Sequence, residues 1–552
     1  MRNKVLLHNR DFRRFRSLAK KNQHKKIKTR RVILVENRQY TFDLIGLLAF
    51  LPTAVKQYNA NIVIYEMLPS NLLIQFKNKI RHRFSIIFSI SSSKLISFTA
   101  QDKFLSKYQE IIIDLTSKKT TKKIFENYHY RDILIGDLIY DFYIRKTKKL
   151  TLDFEDKRLK QIIFNYLQYT DKFIEYFECH EVKAVVVSHP VYSFAIPARI
   201  ALHRNVEAFL VDSVEAIRFT NTNLHSYLNP LINLQEKFNL LTQSSKVHGK
   251  LIAKDMLNSR SHGDISALRI WGPTKPDSKK YLNQLRASLS NVDSPKVLIA
   301  LHDFNDAVHS YGNAFYPDFF EWLVAVGEIT QGSKLEYLVK PHPYSITGES
   351  GILEQLKSIC KAYPHFTLIP SSTSHYDIKN LGVKYCLTVH GSIAHEISAL
   401  GLIVINASLN NPHKNYNFCI TPSSLEDFQK IIKNIESIKL DIDLDSIYEY
   451  YFMRFVYNLN SWTTPNLQEF FEEMKKFSGY DNKKTLSWYF RSNNKIELPC
   501  LKNASKNFII SNDSYLERKH FFDTTNDHGS SCQCESIQTC NGTIAFSKNS
   551  NF

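Results

Sequence analysis

Two rhythms of apolar and polar positions run through the chain. One is short, unbroken apolar runs; the other is longer stretches with apolar residues at helical spacing. RVILVE (31–36), NIVIYE (61–66), residues 84–90 and EIIIDL (110–115) are rich in β-branched residues and predict strands. Residues 42–58 and 70–79, between them, predict helices. Residues 158–178 place Leu159, Ile162, Ile163, Tyr166, Leu167, Phe173, Ile174 and Phe177 near one helical face. VKAVVVS (182–188) follows as a buried strand, then a helix over 193–204 with Pro197 in its first turns, then a strand over 206–211. Strand, helix, strand in this order predicts parallel pairing and an α/β domain over 32–220.

Residues 221–293 are more polar and rich in turn formers, including Trp271-Gly272-Pro273-Thr274-Lys275-Pro276, and are expected to lie between domains. The rhythm restarts at KVLIAL (296–301). Strands are predicted over 336–340, 366–369, 385–389 and 402–405. Helices are predicted over 315–329, 352–362 and 392–400. A second doubly wound domain over 294–440 results, closed by helices within 441–477. Residues 478–552, rich in Ser and Asn from about 503, are expected to be largely disordered. Cys532, Cys534, Cys540 and His528 lie there, at a spacing that fits no zinc pattern. The fold class is therefore α/β, with two Rossmann-like domains and C-terminal helices.

Charge changes the picture in one place. The 552 residues carry a formal +19, but residues 1–31 hold thirteen Lys/Arg against the single acid Asp11. That basic tail accounts for +12, so the folded part is only mildly basic. Val5, Phe12, Phe15 and Ala19 fall near one helical face of the tail, a pattern suited to an anionic membrane surface; a solvated tail is the competing reading. A hydrophobic fraction of 43% and an aromatic fraction of 13% exclude a wholly disordered chain. No run reaches the ~18–20 apolar residues of a membrane span. The N-terminus does not read as a secretory signal. Eight Cys give no disulfide framework, and Cys179, Cys360, Cys386 and Cys419 are scattered and read as buried thiols of a reducing compartment. A cytoplasmic location is expected, with peripheral binding at the inner face of the membrane as an option.

Ligands of open parallel sheets bind beyond the carboxyl ends of the strands. In the second domain this rule selects Lys340-Pro341-His342-Pro343, where two prolines fix the backbone around a His and a Lys suited to phosphate; a proline-shaped turn is the competing reading. It also selects His390-Gly391-Ser392, where Ser392 reads as a helix N-cap ahead of Glu396 and Gly401, and the free N–H groups suit phosphate. The loop from Asn406 to His413 and the pair His302-Asp303 follow. In the first domain the rule selects Glu36, Ser188-His189-Pro190 and Asp212-Ser213-Val214-Glu215, whose carboxylates are candidate bases. There is no Gly-rich dinucleotide or phosphate loop, no G-x-S-x-G elbow and no H-E-x-x-H pair.

Lys340-Pro341-His342-Pro343, His390-Gly391-Ser392, Ala394-His395-Glu396 and Gly401 together resemble the C-terminal half of bacterial capsule and surface-polysaccharide glycosyltransferases. The K-P-H-P motif is similar to that of capsule Kdo transferases and bacterial sialyltransferases. Residues 135–141 (IGDLIYD) also look like a segment of capsule biosynthesis proteins. The resemblance spans about residues 32–475 and implies a GT-B-like fold, with two Rossmann-like domains facing a cleft. It implies that His342 contacts the donor's phosphate or nucleotide and that Ser392 binds phosphate. It places the base on an N-terminal carboxylate, often in an acidic pair followed by Gly. Here the corresponding stretch lacks that pattern and leaves Asp212 and Glu215 as joint candidates.

The function expected is glycosyl transfer from a nucleotide-sugar donor to a glycan or lipid-linked glycan acceptor of a capsule or lipopolysaccharide. Lys340, His342, His390, Gly391, Ser392, Glu396, Asn406 and His302 are the donor-binding set. Glu36 and His189 are the acceptor-binding set, and Asp212, Glu215 and His342 the catalytic one. No cofactor and no metal is expected, since no Asp-x-Asp motif ends a strand of the second domain. A CDP-polyol phosphotransferase is an alternative, weakened by the absence of an Asp-Tyr-Ser-Ser stretch. A non-catalytic sugar-nucleotide or nucleic-acid binder is another. No nucleic-acid module is recognisable, so no specific nucleic acid is expected as a partner.

Overall fold

The computed structural model describes residues 27–38, 41–68, 94–99, 106–220, 231, 233–262, 295–342, 351–457 and 498–517, together with 13, 17, 224, 462 and 463. The described chain divides into two compact units. The first takes residues up to Ile139, those between Phe154 and Pro230, and those from 462 to 517. The second takes Tyr140–Asp153 and the residues from Leu231 to 457.

The first unit is built on strands β1 (Arg31–Glu36), β2 (Asn61–Leu68), β3 (Lys94–Thr99), β6 (Glu181–Val187), β7 (Glu207–Val211) and β8 (Ala216–Arg218), with β4 (His129–Tyr130) and β5 (Ile133–Leu134) forming a small separate hairpin. The sheet order is β3-β2-β1-β6-β7-β8, parallel throughout except for β8, which returns antiparallel to β7. Its helices include α1 (Thr41–Tyr58), α2 (Ser106–Leu115), the start of α3 (Gly136–Thr147), α4 (Lys157–Cys179) and α5 (Ile196–His203). Alternation along the strands sends Ile33, Val35, Ile62, Ile64, Ala184 and Val186 into one buried cluster with α1. Tyr65, on the other face, meets Phe173 of α4 edge-on at 5.2 Å. The α4 helix begins at Asp156, whose carboxylate accepts the Arg158 N–H.

Two expectations about this unit are corrected. EIIIDL is the last part of helix α2, not a strand. Tyr108, Ile112 and Leu115 are its buried stripe, while Ile113 is 60% exposed. Helical spacing of the apolar positions outweighs the β propensity of three consecutive Ile. Residues 498–517 are not disordered. Leu498–Ser511 is a helix whose Cys500, Leu501, Ala504, Phe508 and Ile509 are buried against α1. Arg218 donates to the carbonyls of Phe508, Ile509 and Asp513 at 3.0–3.1 Å and so supplies the partners this helix end needs. Cys500 is disulfide-bonded. Of the thiols expected to be buried, Cys386 and Cys419 are, whereas Cys179, at the end of α4, is exposed.

The second unit carries β9 (Lys296–Ala300), β10 (Glu336–Lys340), β11 (Phe366–Leu368), β12 (Val383–Thr388) and β13 (Ile403–Asn406), all parallel in the order β11-β10-β9-β12-β13. One face packs on α6 (Gln243–Ser261), α10 (Ile393–Ser398) and α12 (Leu444–Tyr451) through Leu298, Leu338, Cys386 and Val404. The other packs on α7 (Phe319–Ile329), α8 (Ile352–Ala362) and α11 (Leu425–Lys433) through Ile299, Val339, Leu387 and Ile405. A short helix, α9 (His375–Asn380), precedes β12. The α6 helix comes from the stretch expected to lie between domains; its Ala253 and Leu257 are core residues of this unit. Tyr140–Asp153 also counts with this unit, although the sequence placed it in the first domain. Tyr140 and Thr151 both donate to the Asp318 carboxylate at 2.5 Å, and Asp318 also caps α7.

The strand predicted over 84–90, the helix over 70–79, most of residues 1–31 and residues 464–477 and 518–552 lie outside the described residues. No helix among the described residues is long and apolar enough to cross a membrane.

Candidate functional site

Both sheets have the same parallel order, third-second-first-fourth-fifth, with the strand order reversing beside the first strand. That reversal opens a crevice at the carboxyl ends of β1 and β6 in the first unit, and of β9 and β12 in the second. The two crevices are closed in the same manner. In the first, the carboxylate of Glu36, the last residue of β1, accepts the Ser188 N–H, just after β6, at 2.7 Å. In the second, His302 Nε2, just after β9, accepts the His390 N–H, just after β12, at 3.3 Å. A carboxylate holds one switch point and an imidazole holds the other.

The imidazole site is apolar around its rings. His302 stacks on Phe319 with ring centroids 4.4 Å apart and lies 4.6 Å from His390, which in turn lies 4.7 Å from Tyr311. Because Nε2 accepts, the His302 proton sits on Nδ1. Burial, then the neighbouring His390 and His342, hold His302 well below the ordinary imidazole range. Burial and Arg454 bring His390 down to about 3. Both are therefore neutral at physiological pH. Gly391 permits this packing: a Cβ there would lie 3.0 Å from Thr388 Oγ1 and 3.3 Å from His302. Ser392 does not act as the N-cap that the sequence predicts. Its backbone is already helical (φ −61°, ψ −22°) and its hydroxyl makes no cap bond, because capping needs an extended cap residue.

Lys340 ends β10 on the buried side of this crevice. Burial lowers its amine to about 8, with Glu396 holding it up and Arg260 pushing it down. Glu396 is itself taken by Arg260 Nε at 2.5 Å and lies 3.5 Å from His375 Nδ1. The Glu396 carboxylate thus serves a buried charge cluster. His342 is half-buried two residues further on. Asn406 is fully buried, 3.2 Å from His413 Nε2. Burial, Arg454 and His390 bring His413 down to about 3. Asn406 and His413 are therefore a buried pair at the carboxyl end of β13.

In the first unit Asp212 and Glu215 do not lie on an open loop. They pair across a tight turn joining β7 to β8, with the Asp212 N–H donating to the Glu215 carbonyl at 2.9 Å. Asp212 Oδ1 accepts the Val214 and Glu215 N–H groups at 2.6 and 2.8 Å, so this carboxylate builds the turn. Trp462 Nε1–H donates to the Asp212 carbonyl and Thr463 to that of Ser213, at 2.9 and 2.6 Å. The Glu215 carboxylate makes no hydrogen bond among the described residues. Burial, then the adjacent Asp212, raise it to about 8. Asp212 is also raised by burial, against its two backbone donors and Arg38. Glu36 is buried and raised, against Arg38 and Ser188. His189 is exposed, its Nδ1 2.8 Å from Ser188 Oγ.

Several polar groups at these strand ends went unread in the sequence. Arg38 lies two residues past β1. In the second unit, Asp141 holds His309 Nδ1 at 2.6 Å on the turn that leads to Tyr311, an acid–imidazole pair of the kind that fixes a ring's tautomer. Asp141 closes the IGDLIYD stretch. Four residues earlier, Asp137 takes a bidentate pair from Arg199 in the first unit, both bonds 2.6 Å. No group of three or more His, Cys, Asp or Glu with metal-site geometry occurs among the described residues.

No protein-family model matches the chain, and no curated protein matches it in sequence. Among solved structures, the UDP-GlcNAc 2-epimerase of Methanocaldococcus jannaschii is similar at 10% identity, over 75% of this chain and 95% of its own, with a TM-score of 0.26. The beta Kdo 2,4 transferase KpsC of Thermosulfurimonas dismutans is similar at 13% identity, over 49% of this chain and 79% of its own, with a TM-score of 0.31. Anabaena Alr3699/HepE, solved with UDP and glucose, is similar at 10% identity, over 76% and 92%, with a TM-score of 0.24. Scores of this size leave function to be argued from the sites.

Proposed function

We propose that this chain is a glycosyltransferase of the GT-B type, moving a sugar from a nucleotide-sugar donor to a surface-polysaccharide acceptor. The observation that carries the reading is the contrast between the two crevices. The same strand order ends in carboxylates in the first unit and in Lys and imidazoles in the second. Carboxylates suit deprotonation of an acceptor hydroxyl, and cationic or proton-accepting groups suit a leaving phosphate.

In this reading the donor binds in the second unit, with Lys340, His342, His390, Gly391 and Ser392 at its phosphates. Arrival of a phosphate favours protonation of the neutral imidazoles, so negative charge developing on the leaving group is met by protons already at hand. Glu396 and Asn406 support these groups from beneath, and His302 fixes the His390 backbone. The acceptor binds in the first unit near Glu36 and His189. Glu215 is the base, since its carboxylate is uncommitted and half ionised near pH 8, while Asp212 holds the turn that presents it. Residues 1–31 would bring a cytoplasmic enzyme to an anionic membrane where a lipid-linked acceptor resides.

The test is product formation from a panel of UDP-, CMP- and CDP-linked sugars with capsule or lipopolysaccharide fragments as acceptors. Turnover is expected with one nucleotide class, and His342→Ala is expected to lower it by about 10²-fold or more. Unchanged turnover in a folded His342→Ala protein removes His342 from the chemistry. No product from any donor removes the transferase reading.

A further inference from the structure

The first unit contains a charged side chain whose bonding is incomplete. Arg38 is 3% exposed. Its Nη1 donates to the Val211 carbonyl at the end of β7, while Nε and Nη2 have no hydrogen-bond partner. Those two nitrogens form the side-on edge of the guanidinium, the pair of parallel N–H groups that matches a carboxylate or phosphate in bidentate geometry. Leaving those two N–H groups without an acceptor in a buried place is unfavourable, because they have lost water without gaining a hydrogen bond.

A second buried donor is in the same condition. Tyr65, beside Glu36 in the β1–β2 register, has its hydroxyl buried and without a hydrogen-bond partner. Arg38 and Glu36 both act on it electrostatically. The nearby carboxyl groups do not fill the gap. Glu36 is engaged by the Ser188 N–H and Asp212 by two backbone N–H groups, and no ion pair joins either to Arg38. Burial raises both carboxyl groups, and the Arg38 charge works against that rise. The 18-residue helix α1 begins three residues after Arg38 and adds the positive end of its dipole to this edge of the sheet.

We propose that the Nε/Nη2 edge of Arg38, with the Tyr65 hydroxyl, is an anion subsite of the first unit that takes one carboxylate or phosphate group of the acceptor. The acceptor is therefore an acidic glycan or a phosphorylated one. The naming of the acceptor rests on the transferase reading; the anion subsite does not.

The experiment is calorimetric binding of glucuronate, inorganic phosphate and glucose to the full chain, for wild type, Arg38→Gln, Arg38→Lys and Tyr65→Phe. UDP binding is measured alongside as the readout of the second unit. Wild type is expected to bind glucuronate or phosphate and not glucose, and the tighter of the two identifies the acidic group. Arg38→Gln is expected to weaken that binding about tenfold or more. Arg38→Lys, which keeps the charge but not the fork, is expected to fall between, and Tyr65→Phe to weaken it severalfold. The proposal is overturned if wild type binds neither anion, if glucose binds as well as glucuronate, or if Arg38→Gln binds as wild type does. Should the Arg38 variants fail to fold, undiminished binding by Tyr65→Phe overturns it. Arg38-dependent anion binding without UDP binding leaves the subsite standing and removes the donor reading. UDP binding without anion binding does the reverse.

Discussion

Gly46 offers the most direct test of how the Glu215 turn is held. It lies on α1, and a Cβ built there falls 1.9 Å from the Asp212 carbonyl oxygen, 2.6 Å from its carbon and 3.1 Å from Trp462 Cζ2. Real Cβ atoms essentially never come closer than 3.0 Å to another heavy atom, so the carbonyl has to retreat by about 1.1 Å. It is poorly placed to do so. The same oxygen accepts the Trp462 indole N–H at 2.9 Å, and its residue is bonded across the β7–β8 turn to Val214 and Glu215. Gly46→Ala gains about 0.8–1 kcal/mol of helix propensity. Overpacking in a filled core costs about 1–3 kcal/mol, and more where backbone must move. The net expectation is a loss of about 1–2 kcal/mol or more, read as a lower denaturation midpoint in urea at unchanged slope. Displacing the turn also displaces Glu215, so the pH midpoint of turnover is expected to move. A variant about 1 kcal/mol more stable than wild type, the outcome of propensity alone, refutes the close approach.

Other outcomes follow from the same geometry. Turnover is expected to rise with pH through about 8 as Glu215 ionises, and Glu215→Gln to lower it by about 10²–10⁴-fold and flatten that limb of a pH–rate profile. Because folding raises this carboxyl from 4.5 to about 8, the stability it contributes is present in acid and lost as pH rises through 8. Chemical denaturation across that window is expected to show Glu215→Gln losing less stability than wild type. Arg199→Ala removes both guanidinium bonds from the buried Asp137 carboxylate and is expected to cost about 3–5 kcal/mol in the same assay, most of it recovered when Asp137→Leu is added. Phe508→Ala, at a fully buried position facing Phe209 at 6.0 Å, is expected to cost about 3–5 kcal/mol. A near-neutral result there removes Leu498–Ser511 from the core of the first unit.

Much of the fold was legible because parallel strands buried on both faces read as unbroken apolar runs. RVILVE, VKAVVV, KVLIA and EYLVK all form strands close to where the pattern puts them. EIIIDL failed because a run of three Ile carries the same local signal on a strand or a helix; only the burial of Tyr108, Ile112 and Leu115, set by the surrounding fold, separates the two. Leu498–Ser511 failed for the opposite reason. Its Ser, Asn and Lys content reads as polar tail, yet residues 500, 501, 504, 505, 508 and 509 form a continuous helical stripe. At the sites, strand-end placement selected His302, His390, Glu36 and Glu215. The bonds that join Glu36 to Ser188 and His302 to His390 depend on which strands become neighbours, and strand order has no local signature. Arg38 is a single Arg near a strand end. Its significance lies in an unfilled fork that only the packed structure displays.

The helix Leu498–Ser511 also sets an order of events during synthesis. All the described residues of the second unit, up to 457, leave the ribosome before residue 498 does. Until then α1 has one apolar flank uncovered and Arg218 lacks the three carbonyls it will bind. The second unit can complete its core from nearly contiguous chain, whereas the first must hold an open seam across an excursion of more than two hundred residues. The half that begins first therefore finishes last, and limited proteolysis of stalled nascent chains reads that order directly. In the living cell the exposed seam is where a chaperone would be needed.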